Sequence, residues 1–161
     1  MSFWSTNTLE PLRKFRFQIQ IGKDSTLWYA KTVTQPSFEV SMSEYQLINH
    51  KIKYPGIVTW NDIEITIVDV GEKGKDFYKK LTEIGYNPTG DGDGGDGVFK
   101  NQYNGESDFV ITKLKADGTI VETWKLKNPF IKAIKYGDLD YSSDDLLEIT
   151  ITVAYDTATL T

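Results

Sequence analysis

The sequence contains no cysteine and a single histidine, His50, among its 161 residues. Without cysteine there are no disulfides, no zinc–thiolate centres and no thiol nucleophiles. With one histidine there is no multi-histidine metal site. Long apolar runs are missing too. None approaches the roughly 18 consecutive apolar residues of a spanning helix, so no membrane anchor is expected. The opening Met-Ser-Phe-Trp-Ser-Thr-Asn-Thr has neither a basic region nor an apolar stretch. It does not read as a secretory signal, and folding in a cytosol is the expectation. Positive charge is in deficit, with 18 Lys+Arg against 23 Asp+Glu and a net charge of −5. That balance argues against a surface that wraps DNA, which needs a basic stripe. It is compatible with a wall that DNA passes without being held.

What the chain does have is aromatic residues and period-two alternation. Four Trp, nine Tyr and eight Phe supply material for a core and for interfaces and argue against disorder. The length suits one domain, which at this size buries roughly 70% of its unfolded surface. Phe15, Phe17, Ile19 and Ile21 alternate with Lys14, Arg16, Gln18 and Gln20. One set therefore faces a core and the other water. Residues 22–25 read as a turn and 27–33 as the returning strand, ended by Pro36. Ile48, His50, Ile52 and Tyr54 form a second alternating set, stopped at Pro55-Gly56. The stretch 58–68 follows, with Ile63, Ile65 and Ile67 on one face. Residues 109–115 and 120–127 flank Asp117-Gly118, a two-residue hairpin signal. A strand at 130–136 is expected, then one at 148–155, where Ile149, Ile151, Val153 and Tyr155 alternate with polar or small residues. Between the halves, Phe77, Leu81 and Ile84 fall at helical spacing. They predict a helix over 75–84 with Lys79 and Glu83 paired outside and Gly85 as its stop. The expectation is a mainly β domain, a sandwich or barrel of about seven or eight strands with one flanking helix. It spans 1–161, with an N-terminal arm at 1–12 and a long Gly/Asp-rich mobile loop at 86–107.

Catalytic and metal constellations are weak. Asp91 and Asp93 have the spacing of calcium ligands, but Gly95 and Gln102 stand where the EF-hand loop needs ligands, so a solvated loop is the better reading. His50 is the one neutral-pH base. Ser41, Ser43 and Glu44 are near it in sequence only, which is not a triad. Asp138 and Asp140, with the pair Asp144 and Asp145, invite comparison with a two-carboxylate glycosidase. Acidic pairs before a strand more commonly form turns. No enzyme, metal or cofactor is expected. Trp4, Trp28, Trp60 and Trp124 are spread along the chain. Core packing, a glycan-stacking platform and subunit interfaces are all open for them, and Trp4, in a polar arm, points to an interface.

Taken in order, these landmarks resemble the tail tube protein family of contractile injection machines: myophage tail tubes, R-type bacteriocin tubes and extracellular injection systems. The resemblance runs from about residue 13 to 156. It rests on Lys53-Tyr54-Pro55-Gly56 leading into Trp60, on Trp124, Leu126, Asn128 and Pro129, on Gly137-Asp138-Leu139, and on the run 147–155. The Gly/Asp loop departs from the family pattern. The resemblance implies hexameric rings whose sheets join into one inner barrel around a channel. The rings stack into a tube that conducts DNA or an effector when a surrounding sheath contracts. It also implies sheath, baseplate and tail-terminator partners, DNA passing without specific binding, and a place in the virion tail after assembly in a host cytoplasm. Lumen-facing candidates are Asn49, Lys51, Lys53, Thr59, Asn61, Glu64 and Thr66. Interface candidates are Phe3, Trp4, Tyr45, Ile48, Tyr54 and Pro55. Segment 40–54 is expected, by the resemblance, to be one arm of a hairpin reaching an adjacent ring, and arm 2–11 to order on assembly. Six chains would carry about −30 per ring, six times −5, a field that keeps DNA moving. Two rival readings are a monomeric glycan-binding β-sandwich and a tube initiator or baseplate part of the same machine. A third is a hydrolase using His50.

Overall fold

A computed structural model describes residues 11–21, 30–72, 74–76, 78–79 and 109–161. Among them lie ten strands. β1 (Phe17–Ile21), β6 (Phe109–Leu114), β7 (Ile120–Lys127) and β10 (Thr157–Leu160) form a first antiparallel sheet in the order β1-β6-β7-β10. β2 (Ala30–Val33), β5 (Ile63–Val68), β9 (Glu148–Ala154) and β8 (Phe130–Tyr136) form a second, in the order β2-β5-β9-β8. β3 (Phe38–Leu47) and β4 (His50–Trp60) make a separate two-stranded hairpin.

The alternation builds the core as expected. Ile63, Ile65 and Ile67 of β5 and Ile149, Ile151 and Val153 of β9 are buried on one face of the second sheet. Ile19, Phe109, Ile111 and Leu126 are buried on the facing side of the first, and all ten belong to one apolar cluster. Two mostly β layers over one core are a sandwich, one of the two architectures, sandwich or barrel, that the patterning allowed.

Several details differ from the sequence reading. β1 and β2 are not a pair: β1 pairs with β6 and β2 with β5, so the chain crosses from one sheet to the other. The turn read at 22–25 lies outside the described residues. Phe15, expected on the core face, precedes β1 and is 74% exposed. β4 runs through Pro55-Gly56 instead of stopping there. β10 was not read as a strand at all, because Thr-Ala-Thr-Leu carries little apolar signal. It is held by pairing with β7 from Thr157↔Lys127 to Leu160↔Trp124. Residues 74–76 and 78–79 are helical, beginning where the helix was placed. Phe77, Leu81, Glu83 and Ile84 lie outside the described residues, as does the whole 86–107 loop. The Tyr136 hydroxyl donates to the Gly74 carbonyl at 3.1 Å and ties this turn to β8. Burial pushes that hydroxyl's pKa up, with Tyr78 and the Asp69 charge adding to the shift.

The β6–β7 hairpin has a three-residue loop rather than a two-residue one. Lys115 N–H donates to the Thr119 carbonyl at 2.9 Å and Gly118 N–H to the Lys115 carbonyl at 3.1 Å. Asp117 accepts from Thr119 N–H at 2.9 Å, and this bond lowers its pKa. Gly118 sits at φ +84°, the left-handed conformation that closes such a loop. A Gly118→Ala variant is therefore expected to lose about 1 kcal/mol of stability in urea denaturation. An unchanged midpoint would show that the turn relaxes without cost.

Candidate assembly surfaces

Three surfaces have the character of contact sites: the β3–β4 hairpin, the outer face of the second sheet, and the edges of both sheets. The hairpin is exposed almost throughout. Its register runs from Leu47↔His50 at the tip to Phe38↔Trp60 at the base, with a shift between Val40 and Met42. There Ser41 faces two residues, Gly56 and Ile57, which is a β-bulge. Ile57 N–H donates to Ser41 Oγ at 2.8 Å. A Cβ on Gly56 would lie 2.3 Å from that oxygen, so a larger residue would have to displace the Ser41 hydroxyl from its bond to Ile57. The Pro-Gly pair is thus a bulge, not a stop.

The bulge moves the apolar side of the ribbon. Directly opposed residues share a face. In the outer half Tyr45, Leu47, His50, Ile52 and Tyr54 share one face, and Glu44, Gln46, Lys51 and Lys53 share the other. In the inner half the order is reversed. Phe38, Val40, Val58 and Trp60 line the face that carries the charges further out, and Glu39 and Thr59 lie opposite. The inner apolar face meets the body at its base through Trp60, whose ring lies 5.0 Å from Phe38 and 5.9 Å from Tyr155, while Phe38, Val40 and Val58 stay exposed. Burial raises the Tyr155 hydroxyl's pKa, the Ser37 backbone opposes the shift, and the Asp62 charge adds to it. Asn61 fixes the base, donating from its backbone to the Ser37 carbonyl at 2.9 Å and from its amide to Ser37 Oγ at 3.0 Å. Among the described residues the outer apolar face makes no such ring contact with the body, and at the tip Ile48 is 98% exposed.

The predicted residues fall into separate groups. Tyr45 and Tyr54 lie on the outer apolar face, Ile48 and Asn49 in the tip, and Pro55 opposite Met42 beside the bulge. Lys51 and Lys53 lie on the polar face of the hairpin, and Thr59 and Asn61 at its base. Glu64 and Thr66 are elsewhere, on the outer face of the second sheet. That face carries a row Thr32, Thr66, Thr150, Lys135 and a second row Glu64, Thr152, Ala133. It is polar and mostly threonine, with one acidic and one basic side chain, Glu64 and Lys135, in these rows. Phe3, Trp4 and Trp28 lie outside the described residues.

The sites of possible chemistry do not converge. His50 is near the tip opposite Leu47, Ser41 is at the bulge, and Glu44 faces the other side of the ribbon. Among the described residues no group of three or more His, Asp and Glu is placed to hold a metal. Asp91 and Asp93 lie outside them. Asp140 makes a turn: it accepts from Ser142 N–H at 2.9 Å and Ser142 Oγ at 2.7 Å, which lowers its pKa. This contribution is present at neutral pH. It begins to fade as pH falls below about 4 and is gone below the depressed pKa.

The edges complete the picture. Among the described residues β1 and β10 end the first sheet, and β2 and β8 end the second. Thr34 N–H bonds to the Glu64 carbonyl at 2.9 Å, which leaves the intervening Val33 N–H directed to the open side of β2. β8 presents Lys132, paired with Asp62 at 2.7 Å, and Lys135. At the far corner Asn128, at φ 51°, donates to Asp156 at 2.9 Å and joins the β7–β8 turn to the β9–β10 turn.

A sandwich whose described sheets end in unpaired edges, with a projecting apolar ribbon, has the surfaces of a structural protein that meets other chains. The family model of the T4-like virus tail tube protein gp19 matches residues 13–159, and the chain belongs to that family. The fold is shared with solved structures of low identity. One is from a sheath-tube complex of an extracellular contractile injection system, PVC, in its extended state. It is 20% identical, with a TM-score of 0.75, and 96% of this chain covers 93% of that one. Another is from the tube-terminating cap of the anti-feeding prophage, 19% identical with a TM-score of 0.74 over 100% and 99% of the two chains. Hcp1 from Flavobacterium johnsoniae is more distant, 11% identical with a TM-score of 0.53 over 91% and 94%. Comparison with curated protein sequences gives no match.

Proposed function

We propose that this protein is the repeating subunit of a hollow tail tube in a contractile particle. Six copies close a ring, and rings stack. Family membership supports the tube, and the observation that supports ring closure is the pair of open edges, β2 and β8, on a sheet with a polar, threonine-rich outer face. Exposed sheet edges invite pairing with another chain, and a closed barrel removes them. The contact joins different surfaces of neighbouring copies and closes by rotation.

In this reading the outer face of the second sheet lines the channel. Glu64 and Thr66 are lumen residues, joined by Thr32, Thr150 and Thr152. Threonines give a passing polymer no concentrated positive charge to bind, and the net negative charge of the ring repels DNA. Asn49, Lys51, Lys53, Thr59 and Asn61 stay with the hairpin, whose outer apolar face reaches the adjacent ring. A sheath surrounds the tube, and baseplate and terminator proteins meet its ends. DNA or an effector passes through. The chain works by assembly and not by catalysis, as one tail-tube domain. It assembles in a host cytoplasm and resides in the tail. No helix among the described residues is long and apolar enough to cross a membrane.

The test is native mass spectrometry and negative-stain microscopy of the purified protein across a concentration series. Hexamers and tubes of uniform width are expected. A strict monomer at high concentration, with sugar binding, would overturn the reading in favour of a glycan-binding sandwich.

A further inference from the structure

A groove of about 770 Å³ runs between the open edges β1 and β2. Its apolar lining is Leu12, Phe15, Phe17, Ala30, Val33 and Ile111. Its basic side chains are Arg13, Lys14, Arg16, Lys31 and Lys113, and among the described residues no acidic one lines it. Lys113 pairs with Glu122 at 2.6 Å, Lys31 pairs with Glu148, and Arg16 lies over the Phe15 ring. Among the described residues Arg13 and Lys14 form no ion pair and are exposed.

The loop between β8 and β9, residues 137–147, is the complement. It contains four aspartates, Asp138, Asp140, Asp144 and Asp145, and no lysine or arginine. Leu139, Tyr141 and Leu146 are among its exposed side chains, at 86%, 112% and 73%. The loop is held in shape by bonds from Ser142 to Asp140 and from Ser143 to Asp145, and by the Asp69 N–H bond to the Leu147 carbonyl at 2.9 Å. Gly137 lets it leave β8 against the Glu148 carbonyl, where a Cβ would come within 2.6 Å.

The register places loop and groove at the same level. Ala30, Ile67, Ile149 and Tyr136 form one row across the second sheet. Ala30 begins the β2 edge and belongs to the groove. Tyr136 ends the β8 edge and leads directly into the loop. β2 and β8 run in opposite directions, since every pairing between them in the sheet is antiparallel. A joint between β8 of one copy and β2 of the next therefore continues the antiparallel order. It also brings the start of the first copy's loop, at Gly137, to the level of Ala30 in the second.

We infer that the 137–147 loop of each copy clasps the basic β1–β2 groove of its neighbour within the ring. Leu139 and Tyr141 cover the apolar lining, and the aspartates meet Arg13 and Lys14. The clasp rests on the ring reading but goes beyond it, because sheet pairing alone supplies no charge preference. Backbone edges pair with almost any strand, whereas an acidic loop and a basic groove select one partner and one register.

Charge reversal tests this in the full chain. Arg13→Glu with Lys14→Glu reverses the groove, and Asp138→Lys with Asp144→Lys reverses the loop. All four side chains are exposed, so circular dichroism melts should match wild type. Each variant alone should need at least about tenfold more protein to assemble, read by sedimentation velocity. Combining the four changes in one chain, or mixing the two variants, should restore assembly to near the wild-type concentration. A wild-type protein that assembles while both variants assemble equally well removes the clasp and leaves the ring. Weakening without restoration also removes the clasp, because the charges then act at some other surface. A wild-type protein that stays monomeric removes the ring, and the clasp with it.

Discussion

Replacing Ile149 and Ile151 together with aspartate is expected to leave no folded protein. Both side chains are fully buried, and they face Ile67 and Ile65 of β5 and Tyr136 and Ile134 of β8. Removing the bulk of a buried isoleucine costs about 2–5 kcal/mol through lost transfer energy and the cavity left behind. Each carboxylate adds a desolvation cost of several kcal/mol, or must take up a proton to avoid it. Two such sites exceed the roughly 5–15 kcal/mol that holds a domain together. The measurements are soluble yield and the far-ultraviolet melt. Ile151→Val is the control, costing about 1 kcal/mol with assembly intact. A double aspartate variant that melted cooperatively near the wild-type temperature would mean that β9 presents its other face to the core.

This confidence in β9 comes from the sequence itself. Its isoleucines and valine fall on every second residue with threonines between, and so do the isoleucines of β5. A period of two over six or seven residues has one physical solution, a half-buried strand. The pattern was weaker where side chains do not decide the structure. Nothing local distinguishes a strand that returns beside its predecessor from one that crosses to the opposite sheet, so β1 and β2 read as neighbours. Pro55-Gly56 reads as an end because proline removes a donor and glycine a side chain. On a two-stranded ribbon the missing donor can face water, and glycine leaves the Ser41 hydroxyl its place in the bulge.

The candidate surfaces divide in the same way. Tyr45, Ile48 and Tyr54 were legible from the resemblance and lie on the exposed hairpin. The proposed lumen set was only partly coherent, because β4 and β5 look continuous in sequence but belong to different sheets. Glu64 and Thr66 therefore part from Lys51 and Lys53. The basic groove was not legible at all. It gathers residues from 12–17, 30–35 and 111–113, and no window of sequence contains it. Its acidic counterpart was visible but read as turn chemistry, which Asp140 and Asp145 do perform. The overlooked signal was the three large apolar side chains, Leu139, Tyr141 and Leu146, set among those aspartates in a loop.

The hairpin carries the second large prediction. Tyr45→Glu with Ile52→Glu is expected to give a folded protein that no longer forms tubes. The two residues are directly opposed on the outer apolar face, beyond the bulge and away from the core cluster. In the isolated subunit both glutamates reach water. Their mutual repulsion across the ribbon costs about 0.2–1 kcal/mol, so the melt should stay close to wild type. In the tube proposed above a neighbouring ring would cover the same face, and two carboxylates would be taken out of water at every subunit. That cost, several kcal/mol per charge, recurs in each copy of each ring and removes stacking altogether. Rings held by sheet edges do not depend on this face. The variant should therefore sediment as single rings, while Tyr45→Phe, which keeps the apolar contact, still gives tubes. Tubes from the glutamate variant at the wild-type concentration would show that the outer half of the hairpin stays in water. The apolar side that Gly56 turns outward would then have no part in joining rings.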